Sequence, residues 1–362
     1  MIRIFGLLGL LLVGCGGPEQ TVTTGSVTPQ QIFEWRMVTT WPKNLPGLGT
    51  APQRMADNVR VMSQGRLNIK VYGAGEVVPA LEVFEAVSQG TAQMGHGAAY
   101  YWKGKVPIAQ FFTAVPFGLT AQEMNGWLMH GGGLELWREL YSRYNLFPIP
   151  GGNTGVQMAG WFNREINSLD DIKGLKMRIP GMGGEVFEQA GGTAINLPGG
   201  EIFTSMQTGV IDATEWVGPY NDLAFGLHQV ARYYYYPGWQ EAGPTLEVLI
   251  NKESWDSLPE DLQVIVETAA LASNMDMLAE YTARNNSALR ELVDEHKVEL
   301  RRLPDDVLAE IKDLSEQMIA DMVEKDEDEL SKRIYKSWSR YRDDVMAYHE
   351  ISERAYINAR SE

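Results

Sequence analysis

The residues able to do chemistry in this chain are few, and none of them assembles into a catalytic grouping. Histidines stand at positions 96, 130, 228, 296 and 349, and none shares a metal-protease spacing with a glutamate. There is no glycine-x-serine-x-glycine elbow, Cys15 is the only cysteine, and Gly73-Ala74-Gly75 lacks the third glycine of a dinucleotide loop. What the sequence offers instead is a set of polar residues in glycine-rich and aromatic surroundings. Gln157 follows Gly151-Gly152-Asn153-Thr154-Gly155, and Arg178 ends a predicted strand over 175–179. Glu215-Trp216 closes a strand-like stretch over 210–214, and Glu241 lies in the apolar loop Gly238-Trp239-Gln240-Glu241-Ala242-Gly243. Tyr100-Tyr101-Trp102 is expected to end the strand after Gly90. All five places are strand ends or hinges, where open α/β sheets collect ligand-binding residues.

Their types suggest a division of labour. The planar fork of an arginine pairs two-pronged with a carboxylate, so Arg178 is the candidate grip on an acid group. Two glutamates, an amide oxygen and a main-chain carbonyl make a hard-oxygen site for a cation, sodium or calcium. Two other readings stay open at this level: Arg178 as the partner of a glutamate in an internal ion pair, and the glutamates as surface residues.

The elements that must position these residues follow a strand, helix, strand rhythm. Residues 33–40 alternate as a strand, a helix is expected from Pro52 with Met55, Val59 and Met62 on one face, and 67–72 alternate again. Further helices are expected over 79–89 and 134–144, with a strand near Phe147 and a hinge at the 151–155 glycines. A second α/β unit follows, and the strand 246–251 is expected to return to the first sheet. This is an α/β fold with two lobes and a cleft between them. Ser257-Leu258-Pro259-Glu260 reads as a capping box opening a helix that runs without proline or glycine to Lys297, long enough at about 55 Å to brace both lobes. Near the end Leu330, Ile334, Trp338, Tyr341, Val345, Tyr348 and Ile351 recur at spacings of four and three, an apolar stripe that needs a partner surface, within the chain or on a second copy.

Composition bounds the rest. The 362 residues suit two domains, and a net charge of -16 with no block of lysine and arginine argues against nucleic acid. Residues 4–13 form an apolar run too short to span a bilayer, ending in Leu12-Val13-Gly14-Cys15, which is similar to a lipobox. The expectation is a signal peptide over 1–14, lipid on Cys15, and a flexible tether over 15–31 rich in Gly, Thr, Pro, Gln and Ser. No later stretch is apolar enough to span a membrane, so the folded part is expected outside the bilayer and held to it by the lipid anchor alone.

Gly174-Leu175-Lys176-Met177-Arg178, with Gly209-Val210-Ile211-Asp212 downstream, resembles the solute receptors of tripartite ATP-independent periplasmic (TRAP) transporters, from about residue 33 to the C-terminus. Gly151-Gly152-Asn153-Thr154-Gly155-Val156-Gln157, Ala213-Thr214-Glu215-Trp216-Val217-Gly218-Pro219-Tyr220 and Tyr233-Tyr234-Tyr235-Tyr236-Pro237-Gly238-Trp239 are similar to the 2-oxo acid and lactate receptors of that family. The resemblance implies a two-lobed periplasmic-binding-protein-like fold with a long bracing helix and an extended C-terminal helix that makes a homodimer. Lobe I is then 32–155 with 243–285, lobe II 156–242 with 286–325, and the dimerisation helix 326–362. It implies that Arg178 grips the carboxylate, that Tyr101 and Trp216 line the ligand site with Tyr100 beside them, and that Gln157, the Glu215 side chain, the Trp216 carbonyl and Glu241 hold the cation. The ligand is a small 2-oxo or 2-hydroxy monocarboxylate, delivered to TRAP integral membrane subunits without catalysis. Trp216 stands where four-carbon dicarboxylate receptors usually have asparagine. Gln240 departs from the pattern, since an aromatic residue is expected there, and bears on ligand size. The competing readings are a receptor for a longer oxo acid or a sugar acid, a metal-dependent hydrolase or lyase on the same cation site, and a sensor subunit that reports ligand to a membrane kinase.

Overall fold

Two mixed sheets carry the molecule in a computed structural model that describes residues 31–361. The expected signal peptide, Cys15 and the tether through residue 30 lie outside the described residues. The strands in chain order are β1 Phe33–Thr39, β2 Leu67–Tyr72, β3 Met94–Gly97, β4 Leu146–Asn153, β5 Gly160–Phe162, β6 Lys176–Arg178, β7 Thr193–Ile195, β8 Ala213–Thr214, β9 Tyr233–Tyr236, β10 Thr245–Asn251 and β11 Glu299–Arg302. The first sheet has the order β2-β1-β3-β10-β4 and the second β11-β9-β5-β8-β6-β7. In the first, β1 runs parallel to β2 and β3, while β10 is antiparallel to β3 and β4. In the second, β5 is antiparallel to β8 and β9, and the remaining pairs are parallel.

Local sequence explains these elements. In β1 Trp35 and Met37 are buried while Glu34 and Arg36 face outward, the period-two pattern of a sheet with one wet face. Every residue of β10 is buried, as a central strand covered on both faces requires. The helix Ala51–Met62 begins with Pro52 in its first turn and buries Met55 and Val59 at a spacing of four. The chain crosses from the first sheet to the second between β4 and β5, returns between β9 and β10 as expected, and crosses once more through the helix Glu260–Asp294. That helix is 35 residues long, about 52 Å. Its start buries Leu262, Val266 and Ala270 against Ile149, Val248 and Ile250 of the first sheet. Tyr281 and Leu292 share a second cluster with Trp161 and Tyr234 of the second sheet. The brace expected from the sequence is therefore a shared core helix.

Four expectations need correction. Gly151 and Gly152 belong to β4 rather than to a hinge; a Cβ on Gly151 would meet Val248 Cγ2 at 2.5 Å and one on Gly152 would meet Met277 Cε at 2.6 Å. These glycines serve close packing, and the crossing begins at Thr154. Tyr100-Tyr101-Trp102 form a 3-10 turn, Ala99–Trp102, after β3 has ended. Ser257 does not cap the long helix: its Oγ donates to Ser254 O at 2.7 Å, and the helix starts after Pro259 with no side-chain cap. The C-terminal stripe divides in two along the helix Glu329–Ile351. Leu330, Ile334 and Trp338 are buried in this chain's own core, whereas Tyr348 and Ile351 are exposed. Strands β9 and β11 had no sequence signal; β11 is a mostly exposed edge strand held by main-chain pairing to β9.

Candidate functional site

The two sheets bring the polar residues singled out in the sequence to one place. Arg178 is the last residue of β6, and its register partner on β8 is Thr214, so Glu215 and Trp216 emerge directly beside it. Gln157 comes from the β4–β5 crossing and Glu241 from the β9–β10 crossing. The crossings are tied together by Gln157 N donating to Glu241 O at 3.1 Å. A side chain at Gly238 would drive its Cβ to 2.2 Å from Gln157 O, so glycine is required for that approach. Tyr100 and Tyr101 enter on the turn after β3. All are shielded from solvent: Arg178 and Glu215 are each 1% exposed, Glu241 3% and Gln157 4%.

Arg178 is heavily engaged. Nε donates to Leu197 O at 3.2 Å, Nη1 to Glu215 O at 3.2 Å and to Glu215 Oε1, and Nη2 to the Tyr101 hydroxyl at 3.2 Å. Its guanidinium carbon lies 5.1 Å from the centre of the Trp216 ring, a cation–π contact. The internal ion pair left open by the sequence is thus present, with Glu215 as the partner. It uses only one carboxylate oxygen of Glu215.

The unpaired atoms carry more information. Gln157 Nε2 donates to Thr154 Oγ1 at 3.2 Å, which leaves Gln157 Oε1 buried without a partner. Glu215 Oε2 and Glu241 Oε2 are likewise buried and unpartnered. Leaving a buried acceptor unsatisfied costs about 1–3 kcal/mol, more if charged, so three in one place suit a positive group. Burial pushes the Glu215 carboxyl up to about 7 against the pull of Arg178. Glu241 is raised well above the carboxylate range, first by burial and then by the charge of Glu215. Two carboxylates and an amide oxygen fit a hard cation, which would reverse both shifts. Among the described residues no three His, Cys, Asp or Glu side chains cluster to hold a metal, so such an ion depends on the amide oxygen and main-chain carbonyls as well.

Aromatic rings wall the site. Tyr100 and Tyr101 pack edge to face at 4.8 Å, and Trp216 stacks on Phe225 at 4.9 Å. Gly199 is fitted against Trp216, where a Cβ would come within 2.4 Å of the ring. Trp41, which sequence reasoning missed, joins the two sides: its ring centre lies 6.0 Å from Tyr101 and 6.3 Å from Trp216. Trp41 Nε1 donates to His96 Nδ1 at 2.8 Å, so His96 carries its hydrogen on Nε2, 3.4 Å from Gly151 O. Burial lowers His96 to about 4 and keeps it neutral. The signal for Trp41 was available, since only Thr40 separates Trp41-Pro42 from the end of β1. Gln240, where an aromatic residue is expected, braces the crossing: it is 2% exposed, and Nε2 donates to Met158 O at 2.8 Å. A surface cavity of about 600 Å³ between Lys105, Tyr144, Met318 and Lys325 shares no residue with this site.

Known proteins match along most of the chain. The family model described as DctP, bacterial extracellular solute-binding protein, family 7, matches residues 37–326. A monocarboxylate 2-oxoacid-binding periplasmic protein of Nostoc sp. is 41% identical over 347 residues, 96% of this chain and 93% of the relative. A TRAP periplasmic solute-binding protein of Pseudoalteromonas atlantica, solved with bound sodium and pyruvate, superposes with a TM-score of 0.88 at 43% identity, covering 91% of this chain and 99% of that one. One from Colwellia psychrerythraea, solved with bound calcium and pyruvate, gives a TM-score of 0.88 at 41% identity, covering 91% and 100%. With this fold, these crossings and a family match over four-fifths of its length, the chain belongs to the DctP family of TRAP transporter solute-binding proteins.

Proposed function

We propose that this chain is the extracytoplasmic receptor of a TRAP transporter and binds a small 2-oxo or 2-hydroxy monocarboxylate, such as pyruvate or lactate, through Arg178 and a bound cation. The observation that carries this reading is the set of three buried, unpartnered oxygens on Gln157, Glu215 and Glu241 beside the Arg178 guanidinium. The cation, sodium or calcium, supplies the positive charge these oxygens lack and a position for the ligand's 2-oxygen. Arg178 offers its Nη2 edge to the carboxylate, in competition with Tyr101. Glu215 divides its carboxylate, one oxygen on Arg178 and the other free for the cation. Tyr100, Tyr101, Trp41 and Trp216 exclude water, which strengthens every charge interaction inside. Because Arg178 and both glutamates are almost fully covered, ligand entry requires the lobes to part. Mass spectrometry of ligand released from purified protein, with calorimetry over a panel of acids, tests the reading. Tightest binding of a dicarboxylate or a sugar acid would overturn it.

His96, the histidine beside the site, is no candidate base for the hydrolase or lyase reading, since its Nδ1 lone pair accepts from Trp41 and its Nε2 faces Gly151 O. We further infer a periplasmic protein lipidated at Cys15, a lobe I of 32–155 with 243–285, and a lobe II of 156–242 with 286–325. Labelled palmitate entering the wild type and Cys15→Ser alike would remove the anchor. A homodimer through the C-terminal helices is supported by exposed Tyr348 and Ile351 at the end of the stripe and by exposed Tyr356 and Ile357 on the helix Glu353–Ser361 that follows.

A further inference from the structure

Asp222 lies directly behind the segment 215–218 and is 1% exposed. Its Oδ1 accepts from the main-chain N–H groups of Val217 at 3.3 Å and Gly218 at 3.2 Å. Its Oδ2 accepts from the Trp161 indole at 2.9 Å and the Tyr234 hydroxyl at 2.7 Å. Trp161 and Tyr234 stand on β5 and β9 and stack at 4.0 Å, so the carboxylate is clamped to the second sheet. Val217 O in turn accepts from Met158 N at 3.1 Å, which fixes the residue after Gln157. One side chain therefore sets both the turn that presents the Trp216 carbonyl and the crossing that presents Gln157. No lysine, arginine or histidine lies within 4.0 Å of Asp222 among the described residues, so hydrogen bonds alone hold its charge.

We propose that Asp222 is a positioning residue of the cation site and the outer negative charge that tilts this site toward a divalent ion. The proposal rests on the receptor reading above. Near the cation the chain buries one guanidinium, Arg178, against three carboxylates, Glu215, Glu241 and Asp222. A carboxylate beyond the coordinating oxygens acts on the ion by Coulomb attraction alone, in a place that salt screens poorly. That attraction doubles from sodium to calcium, whereas a loss of geometry has no such dependence on ionic charge.

The test is titration calorimetry of chelator-treated protein at pH 8 with calcium chloride and sodium chloride separately, at saturating pyruvate. Asp222→Asn is expected to weaken calcium by roughly tenfold more than sodium, because the lost charge counts twice for calcium while the loss of positioning is common to both ions. Tyr234→Phe and Trp161→Phe each remove a donor and keep the charge, so each is expected to weaken the two ions by the same factor. Equal losses of sodium and calcium in Asp222→Asn overturn the charge role, as does an unequal loss in Tyr234→Phe or Trp161→Phe, which stay informative should Asp222→Asn fail to fold. A wild-type chain that binds neither ion overturns the receptor reading and this proposal with it.

Discussion

Arg178 Nη1 donates both to the main-chain oxygen of Glu215, at 3.2 Å, and to its carboxylate, so one residue engages one edge of the guanidinium twice. The parallel pairing of β6 with β8 produces this arrangement, because Thr214 stands opposite Arg178 and Glu215 follows. With Nε on Leu197 and Nη2 on Tyr101, four of the five N–H groups have partners. The guanidinium is thereby locked in orientation before any ligand arrives, which lowers the ordering cost of binding.

Arg178→Lys should therefore do more than weaken a charge contact. An ammonium cannot hold Leu197, Glu215 and Tyr101 together and also present a flat edge to a carboxylate. The expected rise in pyruvate Kd is on the order of a hundredfold. Calorimetry with calcium present reads it, and a change below about threefold would deny Arg178 its role.

Cation removal should be as damaging as loss of the arginine. Without the cation, burial and their mutual charge drive Glu215 and Glu241 toward their protonated forms, and neutral carboxyls offer the ligand's 2-oxygen none of the positive charge that the cation supplies. Chelated protein in sodium-free buffer is expected to bind pyruvate at least about a hundredfold more weakly. Glu241→Gln should chiefly raise the cation concentration needed, with pyruvate affinity at saturating cation moving much less. Unchanged affinity in the cation-free protein would make both glutamates structural.

The sequence disclosed the strands that alternate and the polar residues at their ends, because both leave a local mark. Arg178, Gln157, Glu215 and Glu241 stood out for that reason, and the structure gathers them. Trp41, His96 and Asp222 did not, since their importance lies in partners 55 and 61 positions away in the chain. Gly151 and Gly152 were misread as hinge residues because close approach to Val248 and Met277 is a tertiary fact that composition cannot carry. β11 escaped because an exposed edge strand of glutamate, leucine and arginines has no hydrophobic period.

Glu247 gives the protein a pH dependence unrelated to ligand. It is wholly buried on β10, with the Trp102 indole donating to one oxygen and Tyr141 lying 2.9 Å from the other. Burial pushes its carboxyl up to about 8 from 4.5. The folded chain thus holds a proton between pH 4.5 and 8 that the unfolded chain releases, so the stability from this group is full below pH 4.5 and is lost as pH rises toward 8. The slope is at most about 1.4 kcal/mol per pH unit. Glutamine reproduces the neutral acid, accepting from Trp102 and donating to Tyr141. Glu247→Gln should therefore gain stability relative to wild type as pH is raised from 5 to 8 in urea unfolding. Parallel wild-type and variant curves would show that Glu247 is ionised throughout.

The division of the C-terminal stripe dictates how its role is tested. Removing everything from Leu330 onward takes away Leu330, Ile334 and Trp338, which are 2%, 0% and 1% exposed, and with them the contact of Trp338 with Phe111 at 5.2 Å. That truncation is expected to unfold or severely destabilise the chain, since losing one large core side chain alone costs about 3–5 kcal/mol. It says nothing about association. A cut after Glu350 keeps those residues, Tyr341 against Gly126, and the bond between His349 and Glu123. It removes Ile351, Tyr356 and Ile357, which are 78%, 66% and 48% exposed. Light scattering should then find a monomer where the full chain is a dimer, with the thermal midpoint of the monomer close to that of the full chain at low concentration. A shortened chain that is still dimeric would take the dimer contact off Ile351, Tyr356 and Ile357 and leave it to Tyr348 or another surface, and a full-length chain that is monomeric at micromolar concentration would remove the dimer itself.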